Sequence, residues 1–326
     1  MAATLRDRVV VVTGASSGIG RATALEFARR GAAVVLAARR ADALDRVAEQ
    51  CRQLGAQALA VPVDTGDAEQ VRGLAAAAVE RFGRLDVWVN NAAVGVWGRI
   101  DEVPLKDVRR ALKTNVLGYV HGVRAALEHF RPQGSGVIVN NASMLGALGQ
   151  AYAGVYVMTK FAVRGLSTSL RQELALDGAT GIHVATVLPA TIDTPIFRHG
   201  ANVTGREVRP APPVYPPEKV AKAIVRAATR PRREVYVGFL GWQLVQVAKV
   251  APGTAERVMA VVADQGQLSA TEPAEPTSGN LSEPSIGHEV TGGWHGRRRL
   301  AVRTAAAATA VAGGAAVALA ARSRRG

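Results

Sequence analysis

Residues 9–31 read VVVVTGASSGIGRATALEFARRG, four valines, a glycine-rich turn and an amphipathic continuation. An uninterrupted apolar run of this length is the mark of a parallel strand buried on both faces, because an antiparallel strand with one wet face would alternate. The turn that follows has the spacing TGxxxGxG, with Gly14, Gly18 and Gly20. Glycines so placed let the backbone turn tightly and approach a diphosphate, whose charge is met by free N–H groups at a helix start. A glycine triplet alone says little. Here the strand before it and the helical pattern after it supply the context that such a turn requires, and Ser16 and Ile19 inside it are counted as further cofactor contacts.

Working outward, apolar runs alternate with helical patterns. The strands are read at residues 9–13, 33–38, 58–63, 85–90, 136–141, 183–188 and 234–238, and the clearest helices at 19–30, 42–54, 68–82, 105–130, 153–176 and 217–230. This alternation predicts an α/β, Rossmann-type, doubly wound fold: a seven-stranded parallel sheet with helices on both faces. The chain has 326 residues, of which 48% are hydrophobic and 20% charged, which excludes wholesale disorder and a polytopic membrane protein. One cysteine, Cys51, rules out an internal disulfide and fits a reducing compartment. The start lacks a secretory pattern, so a cytoplasmic location is expected.

The net charge of +14 is unevenly spread, since residues 297–326 carry seven arginines and no acidic residue. Elsewhere arginines are scattered, and no nucleic-acid recognition motif accompanies them. The expected organisation is a catalytic domain over 1–245, a helical segment over 246–263, a disordered acidic linker over 264–296 and a basic, alanine-rich tail over 297–326. The stretch that begins FLGWQLVQVAKV at residue 239 carries Leu240, Leu244, Val247 and Ala251 at helical spacing, a face that could close a pocket, pack on a partner or touch a membrane. Residues 304–321 are uncharged and would span about 27 Å as a helix, short of a bilayer core of about 30 Å. Three fates of this tail stay open: a single membrane anchor, association with a membrane surface, or a loosely helical tail.

Two further stretches carry chemistry. The second strand ends Ala37-Ala38-Arg39-Arg40, with no carboxylate before Asp42. A carboxylate there would bind the ribose 2′-hydroxyl of NAD, whereas a guanidinium pairs with a 2′-phosphate, so the reading is NADP(H) through Arg39, with NAD(H) the alternative. Tyr156 and Lys160 stand four apart on a helical pattern and so share a face. A cation beside the phenol favours its phenolate and moves it toward acid–base use near neutral pH. Upstream, VIVNNAS places Ser143 just past a buried strand's carboxyl end, where open α/β sheets bind ligands.

In this order the motifs resemble those of the short-chain dehydrogenase/reductase family, over roughly residues 6–238, with a C-terminal extension beyond. The resemblance implies that Tyr156 is the catalytic acid/base, that Lys160 lowers its pKa and holds the nicotinamide ribose, that Ser143 orients the substrate carbonyl, and that Asn115 belongs to a proton relay. It further implies adenine contact by Asp64, cofactor contacts by Asn90 and Ala92 in the NNAA element, and by Pro189, Ile192 and Thr194 in PATIDT, with Ile192 and Thr194 meeting the carboxamide. Two family glycines are replaced here, by Ala93 and Ala190. Asp193 is read as a loop cap.

The function expected is hydride transfer between NADP(H) and a hydrophobic ketone, aldehyde or secondary alcohol. Two alternatives remain: an NAD-dependent alcohol dehydrogenase of the same family, and a non-catalytic, NADP(H)-binding or membrane-tethered scaffold. Residues 196–217 are read as a mobile lid, and Val94, Trp97, Leu145, Leu148, Ile196 and Phe197 as apolar lining. The six histidines show no ligand spacing, so no metal is expected. Family resemblance also implies a homodimer or homotetramer through helices 105–130 and 153–176.

Overall fold

The computed structural model describes residues 5–285 and 289–294. Seven strands, β1 (Val9–Thr13), β2 (Ala33–Ala38), β3 (Ala58–Pro62), β4 (Val87–Asn90), β5 (Gly136–Asn141), β6 (Ile182–Pro189) and β7 (Glu234–Val237), make one sheet. Their spatial order is β7-β6-β5-β4-β1-β2-β3, and every pairing is parallel. The chain therefore winds outward from β1 in one direction through β2 and β3, then returns to start again at β4. The crevice opened by that reversal lies at the carboxyl ends of β1 and β4, where α/β sheets receive ligands.

The sequence dictates two covered faces. Val10, Val12, Val34 and Leu36 pack into one core with Phe27 of α1 (Gly18–Arg29), Leu44 of α2 (Ala41–Gln53) and Ile224 of a later helix. Val9, Val11, Val35 and Ala37, pointing the other way as strand alternation demands, pack with Leu74 of α3 (Ala68–Phe82). Fully burying each such side chain stabilises the fold by about 1.5–3 kcal/mol. The expected long helix over 105–130 divides into α4 (Leu105–Leu112), a π-helical segment (Lys113–Leu117) and α5 (Gly118–Gln133). Gly122 lets α5 lie against the sheet: a Cβ there would fall 2.1 Å from Asn90 Oδ1. The longer helices that follow among the described residues are α6 (Gly154–Leu176), α7 (Pro217–Thr229), α8 (Phe239–Val250) and α9 (Pro252–Val261).

The C-terminal third departs from expectation. Helix begins at Phe239 and runs through two elements before a π-helical turn at Val262–Gln267. Residues inside the stretch read as a disordered linker are structured: Leu268–Pro273 pairs antiparallel with Arg206–Val208, and the Arg206 guanidinium reaches Asp264 and the Ser269 carbonyl. These bonds also fasten the segment read as a mobile lid. Low apolar content misleads here because two of the few large apolar residues, Leu268 and Leu281, are buried. The basic tail, including residues 304–321, lies outside the described residues. Among the described residues no helix is long and apolar enough to cross a membrane.

One polar knot ties the sheet's entry. Asp86 is buried and accepts from Arg8 Nη1 at 2.7 Å, Arg84 Nη2 at 2.7 Å and the Val9 amide at 2.9 Å. Burial alone would raise its pKa, but the bonds from Arg84, Val9 and Arg8 hold it below the ordinary carboxylate value. Such a group stabilises the fold above its unfolded pKa and loses that contribution as pH falls through the folded one. Asp86→Ala is expected to cost about 1–3 kcal/mol in urea unfolding at pH 7, and the gap from wild type should shrink below about pH 4. A gap unchanged down to pH 2 would remove the ionised carboxylate from the account.

Candidate active site

At the carboxyl edge of the sheet a cleft of about 800 Å³ runs from the glycine turn to the C-terminal helices. The turn comes first. Gly14 and Gly18 have φ of +65° and +53°, and a Cβ on Gly20 would fall 2.0 Å from the Gly14 carbonyl oxygen, so three positions admit glycine alone. Among the described residues no side chain caps α1, whose first-turn N–H groups are left for other acceptors. That of Gly18 donates to the Glu289 carbonyl at 3.1 Å.

Gly14, Ser16, Gly18, Ile19, Gly20, Arg39, Asp64, Ala92, Pro189, Ile192 and Thr194 all line the cleft, as do Ser143, Tyr156 and Lys160. Asn90 and Asn115, both expected at the site, do not line it. The Asn90 side chain is spent one layer below, accepting from Trp88 Nε1 at 2.7 Å and donating to Asn140 at 2.9 Å. Asn115 sits in the π-helical segment, and its amide bonds both the N–H and the carbonyl of Val94, at 2.8 and 2.9 Å. It thereby fixes the loop after β4 and touches no reacting position directly. The family resemblance points to such residues but does not say on which side of a loop the amide is used.

The acid–base group stands on α6 and the end of β5. Ser143 hydrogen-bonds Tyr156, and Lys160 Nζ lies 5.5 Å from the Tyr156 ring centroid. The ammonium donates to the Asn141 carbonyl at 3.1 Å and to Tyr119 Oη at 3.4 Å. Burial pushes the Tyr156 phenol up to about 12, against the lowering expected from Lys160, while the Ser143 bond pulls the other way. Lys160 is itself buried, which brings its pKa down to about 7.

Asp64 accepts from Gly66 N at 2.9 Å and Arg110 Nη2 at 2.6 Å. Arg39 donates to the main-chain carbonyls of Asn280, Leu281 and Ser282, at 2.7–3.0 Å. Asp193 is buried and accepts the amides of Gly292 and Trp294, so its capping role serves the C-terminal segment. At the far end the cleft is apolar. Val94, Trp97, Leu145, Ile196 and Phe197 line it as expected, whereas Leu148 packs behind with Val245 and Met259. Sequence reasoning missed the wall from α8 and α9, where Leu240, Leu244, Val247, Val258 and Met259 face the cleft; of the three fates open to the α8 face, it closes a pocket. Ala190 fits because Gly238 and Gly241 stand beside its methyl, where a Cβ on Gly238 would come within 2.5 Å. Among the described residues no cluster of three His, Cys, Asp or Glu could hold a metal ion.

The group this site suits is a dinucleotide: the glycine cradle, the uncapped helix start and two cleft arginines match its phosphates, and the volume accommodates it. Comparison with known proteins agrees. A family model described as short chain dehydrogenase matches residues 8–202. An uncharacterized oxidoreductase of Bacillus subtilis, YxnA, is 37% identical over 276 residues, covering 83% of this chain and 76% of its own. A short chain dehydrogenase/reductase from Burkholderia phymatum, solved in complex with NAD, superposes with a TM-score of 0.70 at 27% identity, over 85% of this chain and 99% of that one. An alcohol dehydrogenase from Thermococcus sibiricus, complexed with 5-hydroxy-NADP, does so at 0.61 and 29% identity, over 70% and 95%.

The buried lysine makes a prediction. Its ordinary pKa of 10.5 falls to about 7, so the cost of burying its charge is fully present below pH 7 and fades as pH rises to 10.5. Lys160→Met removes that cost and leaves the Asn141 carbonyl its bond from Tyr119 Oη, at 2.8 Å. The variant should melt higher than wild type at pH 6, by roughly 5 °C or more, with the gap narrowing by pH 10. A lower melting temperature at pH 6 would show that the ammonium is stabilising. With the fold, the cleft and these matches together, the chain belongs to the short-chain dehydrogenase/reductase family and is an oxidoreductase.

Proposed function

We propose that this enzyme transfers a hydride between NADP(H) and a hydrophobic carbonyl or secondary alcohol. The observation that carries the reading is the Ser143–Tyr156–Lys160 group, which faces a cleft with an arginine-bearing polar end and an apolar end. Gly14 to Gly20, Arg39, Asp64, Ala92, Lys160, Pro189, Ile192 and Thr194 would hold the cofactor, which supplies or accepts the hydride. Tyr156, protonated at neutral pH by its burial, would donate its proton to the developing alkoxide. Ser143 would hydrogen-bond the same oxygen, and Lys160 would place positive charge beside both. Asn115 acts by fixing Val94 and is a positioning residue in this scheme.

Support for a hydrophobic substrate is the wall from α8 and α9 together with Trp97, whose ring lies 5.9 Å from that of Phe197. NADP(H) is favoured by Arg39 and by the missing carboxylate at the end of β2. The NAD-dependent reading has its own support, because the Arg39 guanidinium already donates to three carbonyls. Leu117, Met158 and Phe161, exposed on or beside α5 and α6, favour a homo-oligomer built on those helices.

Tyr156→Phe should lower carbonyl reduction with NADPH by at least about 100-fold while leaving NADPH affinity within about threefold, because it removes the proton donor and keeps the ring. The check is steady-state turnover on a panel of apolar ketones and aldehydes alongside a binding titration. Unchanged turnover would take Tyr156 out of the chemistry.

A further inference from the structure

The C-terminal segment lies along the cofactor cleft. Thr277 exchanges backbone hydrogen bonds with Asn202, and the Asn280 amide donates to the His199 carbonyl at 2.8 Å. Gly279 makes this approach possible, since a Cβ there would fall 2.3 Å from that same carbonyl oxygen. Ser278 Oγ donates to the Asp107 carboxylate at 3.0 Å, and Leu281 is fully buried in a cluster with Val94, Val96, Ala111 and Val155.

From these anchors the carbonyls of residues 280–282 meet Arg39, and that of Leu281 also accepts from Arg110 Nε at 2.8 Å. Arg110 is the residue that holds Asp64. The chain is fixed a second time where Glu289 meets the glycine turn and where the amides of Gly292 and Trp294 meet Asp193. Between the two sets of anchors, Asn280, Pro284 and Ser285 line the same cleft as Ser16 and Lys160. With these residues in its lining the cleft has a volume of about 800 Å³.

We propose that residues 277–285 are the outer wall of the cofactor site, closing a dinucleotide into the cleft so that its exchange requires their release. This rests on the dinucleotide reading above. Leu281 is the main latch, because its burial is the apolar contribution that holds the wall down. Ser278 is a lesser one, worth a single hydrogen bond to a carboxylate.

The test loads the full chain with NADPH, chases with excess NADP⁺ and follows the loss of bound nicotinamide fluorescence. Leu281→Ala should release NADPH at least tenfold faster than wild type, and Ser278→Ala, which leaves the core untouched, about threefold faster. Backbone amides of residues 277–285 should also exchange with deuterium more slowly once NADPH is bound. Release rates within twofold of wild type in both variants, with NADPH bound in all three, would overturn the proposal while leaving the cofactor reading intact. Failure of every form to bind NADPH or NADH would overturn the cofactor reading, and this one with it.

Discussion

Because β1 is buried on both faces, its valines are spent on two helical layers, and the part of it left to meet a ligand is the turn at its carboxyl end. The same holds for its neighbours in the sheet. Chemistry is thus confined to one edge, and the reversal of strand order between β1 and β4 opens that edge into a crevice. Gly14, Gly18 and Gly20 line it from β1, Asn91 to Val94 from β4 and Ser143 from β5, while α6 crosses above with Tyr156 and Lys160. Losing the two-sided burial would cost the site as well as the core.

Within that edge the decisive constraint is a lysine held out of water. Among the described residues Lys160 has a carbonyl and a phenol as hydrogen-bond partners and no carboxylate, so its charge is poorly repaid. The same burial keeps Tyr156 protonated near neutral pH. A phenol that retains its proton suits the reducing direction, in which it acts as the acid.

Most of the fold was legible because parallel strands covered on both sides write continuous apolar runs, and VVVVT, AVVLAA and VIVNN do so. The site was legible where backbone geometry demands a residue type, as at the glycine turn, or where spacing puts two groups on one face, as for Tyr156 and Lys160. It was less legible where a side chain's direction decides its use. Asn90 and Asn115 were found, yet their amides brace the loop and the strands behind the cleft. Composition failed most clearly after residue 264, where Glu, Pro and Ser suggest disorder. There two buried leucines, a glycine that permits close approach and backbone bonds to arginines position the chain without any periodic pattern to announce it.

That segment bears on the cofactor question. Arg39 was read from the sequence as a phosphate reader, and the structure finds it on the cleft with main-chain carbonyls as its present partners. A 2′-phosphate, as a charged acceptor, would make the stronger bond to the same guanidinium. The most direct measurement is therefore a side-by-side fluorescence titration of the purified chain with NADPH and NADH. Affinity at least tenfold tighter for NADPH is the predicted result, whereas equal or reversed preference would contradict the assignment of Arg39 and move the enzyme to NAD-linked alcohol oxidation.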